Sequence, residues 1–94
     1  MLSTVMLGPR RPRKYESLLA VFAVVRENIV RVMPDLDLAQ ISLDVTLAEL
    51  GCNSIDRANV VVVTMECLRI KVPVSEFRDV ENIRSLVRLL QRHA

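Results

Sequence analysis

At 94 residues and 10.7 kDa the chain has room for one small domain and not for a second core. A hydrophobic content of 51% is well above what disorder requires, while 3% aromatic residues, two Gly and no Trp speak against a small β-barrel or sandwich. The net charge of +2 hides an asymmetry, because Arg10, Arg11, Arg13 and Lys14 crowd into five positions and from Tyr15 onward nine basic residues face eleven acidic ones. A mildly acidic body behind a basic tail argues against a nucleic-acid-binding surface.

Residues 1–14 hold Gly8, Pro9 and Pro12 among the basic residues, which points to a flexible basic arm ahead of a domain spanning 15–94. The apolar positions Tyr15, Leu18, Phe22, Val25, Ile29 and Val32 advance by threes and fours, the stripe of an amphipathic helix that ends before Pro34. Asp35 to Asn53 mixes acids with Leu38, Ile41, Leu43, Val45 and Leu47 in no regular period, the pattern of a long loop pinned by apolar anchors. Within it Thr46 and Glu49 have capping-box spacing, and Gly51 is placed to stop a single turn.

A second helix is expected from Ser54, with Asn53 as its cap and Asp56 at its third position, near the positive end of the helix dipole. The run Val60 to Val63 reads as strand on propensity alone. The uninterrupted length from Ser54 to Ile70, between a cap and Pro73, favours helix instead. At 100° per residue, Ala58, Val61, Met65 and Leu68 then form the inward stripe. Ile55, Asn59, Val62, Val63 and Glu66 share another side, which mixes apolar and polar groups. After Pro73 a short turn around Ser75 to Arg78 presents Phe77. Asp79 is expected to cap a final helix with Val80, Ile83, Leu86, Val87 and Leu90 inward. The fold class is therefore all-α, with four helical elements, a long loop between the first two and a short third helix.

Catalytic chemistry is hard to place. His93 is the only His and reads as a solvated residue near a helix C-terminus; no paired carboxylates or glycine-rich phosphate loop stand out. Cys52 and Cys67 lie fifteen positions apart without a C-x-x-C, which argues against zinc and for a reduced, cytoplasmic compartment. No segment has the length of a membrane span, and the basic cluster follows Met1 to Leu7 rather than preceding it, unlike a signal peptide. The stretch Leu50-Gly51-Cys52-Asn53-Ser54-Ile55-Asp56 is the feature that remains. It sets a serine hydroxyl at the start of a helix, where a phosphodiester would meet unsatisfied N–H groups and the positive dipole end. On physical grounds alone the same residues also suit a plain helix start.

Gly51-Cys52-Asn53-Ser54-Ile55-Asp56 resembles the G-x-D-S-[LI]-D motif of acyl carrier proteins, whose serine bears 4′-phosphopantetheine. The resemblance runs over nearly all of residues 15 to 92. It takes in Leu47-x-x-Leu50-Gly51, the exit Ile70-x-Val72-Pro73 and the final Val80-x-x-Ile83-x-x-Leu86. It implies a small four-helix bundle with no catalytic activity of its own. Ser54 would receive the arm from coenzyme A through a phosphopantetheinyl transferase, and the arm's thiol would hold acyl groups as thioesters. The helix from Ser54 would be the docking surface, with Asn53, Ile55, Asp56, Arg57, Asn59, Val62, Val63 and Glu66 as partner-facing positions.

Two departures narrow the resemblance. Asn53 stands where most members have Asp, and Asn59 replaces an acid usual five positions after the serine, which lowers attraction for basic partners. Asn53 to Ala58, Thr64-Met65-Glu66-x-Leu68 and Lys71-Val72-Pro73-x-x-x-Phe77 are similar to the discrete donor carriers of polyketide β-branching cassettes. Those hold an acetyl or propionyl group for an enzyme like 3-hydroxy-3-methylglutaryl (HMG) synthase. A decarboxylating ketosynthase or an acyltransferase would load such a carrier, and a monomer suits serial docking. The competing expectations are a general discrete carrier for polyketide or fatty acid chains, a helical interaction module without a prosthetic group, and a helical DNA-binding domain using the Arg10 to Lys14 arm.

Overall fold

The computed structural model describes residues 17–94, so the basic arm and Tyr15 lie outside the described residues. Three α-helices carry the fold: α1 (Leu18–Val32), α2 (Ser54–Leu68) and α3 (Ile83–His93). Two 3-10 helices, Leu38–Gln40 and Val74–Asp79, interrupt the connections, the second being the short third helix of the expected all-α bundle. No strand occurs among the described residues. Helix α1 packs against both α2 and α3, and the Val74–Asp79 helix packs against α3.

Ser17 caps α1, its Oγ accepting from the Ala20 N–H at 3.0 Å, so the helix begins at Leu18. Its buried line is Val21, Val25, Asn28 and Ile29, with Leu18, Phe22 and Val32 packed at the margins. The expected stripe is thus rotated. Phe22 is half-buried at the edge, where the Arg26 guanidinium lies over the ring, 5.2 Å from its centre.

Asn28 is buried at 1% exposure and donates through Nδ2 to Thr64 Oγ1 at 3.1 Å, with Cys67 Sγ at 3.7 Å. This polar pair joins α1 to α2 inside an otherwise apolar core. No buried side-chain polar atom among the described residues lacks a partner, so the pair is carried without an unmet donor.

The inward face of α2 is Val60, Thr64 and Leu68, not Ala58, Val61, Met65 and Leu68; Ala58 is exposed, and Val61 and Met65 are half-buried. The difference is a rotation of roughly 80° at 100° per residue. Valine on every side of the helix gives no hydrophobic contrast to fix its orientation, and the Asn28–Thr64 bond supplies it. Helix geometry prevails over the β-propensity of the valine run because the capping box opens the helix and burial of Val60 and Leu68 holds it. Burying such a side chain stabilises by about 1.5–3 kcal/mol, more than the roughly 1 kcal/mol span of β-propensity. The helix stops at Leu68. Arg69 turns into the left-handed region at φ 58°, and the Ile70 N–H reaches back to Met65 O at 3.1 Å.

The cap of α3 is Asn82, not Asp79, which closes the preceding 3-10 helix. Asn82 Oδ1 accepts from the Ser85 N–H at 2.9 Å, and Ser85 Oγ accepts from the Asn82 N–H at 3.0 Å. The next two free donors of α3 go to the long loop: Ile83 N–H to Val45 O at 2.9 Å and Arg84 N–H to Leu43 O at 2.8 Å. An Arg84–Asp44 ion pair at 2.9 Å adds to the same seam. The loop is thereby pinned by backbone bonds as well as by Ile41, the anchor that is buried; Leu38 is exposed and anchors nothing. Ile83, Leu86, Val87 and Leu90 face inward as expected, joined by Leu89, while Val80 precedes the helix and packs against the core half-buried.

Candidate functional site

The loop delivers Ser54 through two consecutive local devices. Thr46 and Glu49 form a reciprocal pair, the Thr46 N–H donating to Glu49 Oε1 at 2.8 Å and the Glu49 N–H to Thr46 Oγ1 at 2.9 Å. The turn they open ends at Gly51, whose φ of +94° suits a residue without a Cβ. Two residues on, Asn53 Oδ1 accepts from the Asp56 N–H at 2.8 Å and Asp56 Oδ2 accepts from the Asn53 N–H at 3.1 Å. Both carboxamide and carboxylate are thus committed to starting α2.

Ser54 is the first residue of α2 and is exposed. Among the described residues, the N–H groups of Ser54 and Ile55 have no acceptor. The equivalent pair in α3 is taken by the Val45 and Leu43 carbonyls. The start of α2 therefore offers two open donors and the positive end of a fifteen-residue helix beside a serine hydroxyl, an arrangement suited to a phosphate ester.

Directly below Ser54 on the same helical face lie Ala58, Val61 and Met65, at intervals of four, seven and eleven residues. They form one wall of an apolar cleft of about 380 Å³ whose other wall includes Leu47, Phe77 and Val80. An adjoining cavity of about 310 Å³ shares Arg57, Leu47, Val80 and Leu86 with it. Arg57 stands where the two meet, and its Nη1 donates to Cys52 O at 3.3 Å. Cys52 itself is buried and its thiol is pushed up by that burial, with Asp56 adding to the effect and Arg57 opposing it.

The residues expected to face partners divide into groups. Ile55, Asn59, Val62 and Glu66 form one exposed ridge along α2, with Ile55 69% and Val62 48% exposed, and Val63 is half-buried at its edge. Asn53 and Asp56 are tied into the capping box, and Arg57 lies on the opposite flank, toward the Leu47 loop. Sequence reasoning missed this flank and the cleft it borders. The spacing of Ser54, Ala58, Val61 and Met65 was the available signal. His93, expected to be solvated near a helix C-terminus, is part-exposed there and brings Nε2 to 3.0 Å from Glu76 Oε1, which ties the end of α3 to the Val74–Asp79 helix.

Among the described residues no three His, Cys, Asp or Glu side chains gather as a metal site, and no helix is long and apolar enough to cross a membrane. The arrangement can hold and present a phosphate-linked group, and the Asn53 and Asp56 side chains beside Ser54 are engaged in the cap. The phosphopantetheine attachment site family matches residues 23–90 of the chain. A polyketide biosynthesis acyl-carrier-protein, AcpK, of Bacillus subtilis (strain 168) is 37% identical over 70 residues, covering 74% of this chain and 85% of that relative. No solved structure matches the chain at a significant level.

Proposed function

The chain belongs to the phosphopantetheine attachment site family and is an acyl carrier protein; from that premise we propose that it serves polyketide biosynthesis as a donor carrier, bearing its arm on Ser54. As a carrier it has no catalytic activity of its own, and its cofactor is 4′-phosphopantetheine, whose thiol supplies the thioester chemistry. Such carriers work with a phosphopantetheinyl transferase and with biosynthetic enzymes. The residues at the start of α2 fit the group: an exposed hydroxyl, two N–H donors without acceptors among the described residues, and the Arg57 guanidinium nearby, held by the Cys52 carbonyl.

The observation that carries the assignment of Ser54 is its place as first residue of α2, immediately after the Asn53–Asp56 capping box and with open donors beside it. The transferase supplies the base that takes the hydroxyl proton, so none is needed in the chain. Polyketide biosynthesis is supported by the likeness to the Bacillus carrier, and the donor role by the motif similarities around Asn53, Thr64 and Lys71. In this reading an acetyl or other short acyl group, loaded by a decarboxylating ketosynthase or an acyltransferase, is presented to an HMG synthase-like enzyme for β-branching. That enzyme separates donor from acceptor carriers along the ridge of Ile55, Asn59, Val62 and Glu66, where Asn59 withholds a charge. Residues 15–94 are then the carrier domain, residues 1–14 a basic arm, and the protein a cytoplasmic monomer.

The test loads the chain with an acetyl group and mixes it with an HMG synthase-like enzyme and a second carrier bearing a β-ketoacyl group. The proposal predicts that the acetyl group leaves this chain and that the acceptor gains the mass of that two-carbon unit plus the water that hydrolyses the product from the enzyme. Acetyl retained here, with transfer from a known donor carrier in parallel, would leave a general discrete carrier.

A further inference from the structure

Arg57 follows Ser54 by three residues, which places the two side chains side by side on α2 with Cβ atoms about 5–6 Å apart. Helical side chains lean toward the N-terminus of their helix. Arg57 does so: its Nη1 donates to the carbonyl of Cys52, two residues ahead of Ser54, at 3.3 Å. A guanidinium has five N–H donors. No other acceptor among the described residues engages them, and no carboxylate pairs with this charge, whereas Arg84 is paired with Asp44. An anchored guanidinium with donors to spare therefore sits one helical turn from the serine that is to carry an anion.

We propose that Arg57 is the built-in counter-ion of the phosphodiester on Ser54, a positioning residue that turns the base of the arm toward the apolar cleft and away from the partner-facing ridge. The inference rests on the assignment of the arm to Ser54. A guanidinium matches two phosphate oxygens at once, and its charge-assisted bonds are shorter and stronger than neutral ones. Its placement gives the direction. Arg57 lines the cleft together with Ala58 and Val61, and Val62 borders it, while Ile55, Asn59 and Glu66 occupy the other flank. The Cys52 carbonyl holds the guanidinium in place before the anion arrives, which lowers the ordering cost of the contact. An arm held at its base on this flank leaves the ridge uncovered for a docking enzyme.

The test uses the full chain labelled with nitrogen-15, before and after modification, with intact mass showing complete conversion. The Arg57 Nε–Hε resonance, assigned by its loss in Arg57→Lys, is expected to shift on modification while those of Arg84 and Arg88 stay in place. The phosphorus-31 resonance of the modified chain is expected to move in Arg57→Ala and to return toward its wild-type position in Arg57→Lys. A role confined to the Cys52 contact would alter stability and leave the phosphorus signal unmoved. An unchanged Arg57 resonance in a fully modified chain overturns the proposal, and the wild-type comparison decides it even if Arg57→Ala does not fold. A chain that gains no mass would instead bring down the assignment of Ser54, and this inference with it.

Discussion

Asn53→Ala isolates the device that starts the helix bearing Ser54. The substitution removes the Oδ1 acceptor that lies 2.8 Å from the Asp56 N–H. It spares the return bond from the Asn53 N–H to Asp56 Oδ2 at 3.1 Å, because that donor belongs to the backbone. Loss of one cap bond at an exposed helix start costs about 1 kcal/mol, within a range of roughly 0.5–2. In a domain of this size the Tm should fall by about 4–8 °C per kcal/mol. Gly tolerates the extended φ of −82° and ψ of −176° found at this position and leaves room for solvent at the free N–H. Asn53→Gly should therefore cost only about a few tenths of a kcal/mol. Thermal unfolding followed by circular dichroism on the unmodified chain measures both variants. Amide hydrogen exchange at Asp56 reads the same loss locally, as about a five-fold rise in opening for each kcal/mol. An Ala variant as stable as wild type, or a Gly variant as damaged as the Ala one, would refute the reasoning that side-chain capping secures this turn.

Thr64→Val strips the acceptor from the buried Asn28 amide and should cost about 1–3 kcal/mol in urea unfolding. The double variant Asn28→Leu/Thr64→Val should recover most of that loss, and simple additivity of the two single variants would contradict the paired-core account. Arg69→Gly relieves a non-glycine residue at φ 58° and should stabilise by about 0.5–1 kcal/mol after the greater freedom of Gly in the unfolded chain is counted; a lower Tm would speak against it. Burial raises the Cys52 thiol, so the folded state holds it neutral and the unfolded chain deprotonates first. Its contribution to stability is present below the ordinary thiol value and is lost as pH rises from there through the raised one. The alkaline fall in Tm should accordingly be shallower in Cys52→Ala, and alkylation of the native chain should reach exposed Cys67 before buried Cys52.

The features that local chemistry determines were legible in the residues. Asn53 with Asp56, Thr46 with Glu49 and Gly51 each act within a few positions, and each has the geometry its spacing implies. Features that depend on distant partners were not. The orientation of α2 is hidden by four consecutive valines and is set by Asn28, thirty-six positions away. Asn28 lies three residues after Val25 and Thr64 four after Val60, so each continues a buried line, but as polar residues they fall outside a count of apolar positions. Asp79 and Asn82 both suit a cap. Ser85 and the carbonyls of Leu43 and Val45 favour Asn82, and those carbonyls arrive from a loop about forty residues earlier. Arg57 was expected to face partners on the resemblance alone, and its place toward the Leu47 loop depends on that same orientation.

The central claim is that Ser54 carries the arm, and intact mass tests it most directly. Purified wild type and Ser54→Ala are each incubated with coenzyme A and a broad-specificity phosphopantetheinyl transferase, with circular dichroism showing that both are folded. The account predicts the mass of one phosphopantetheine added to the wild type and none to Ser54→Ala. A folded wild type that gains nothing, or a Ser54→Ala chain that gains the same mass, would contradict it.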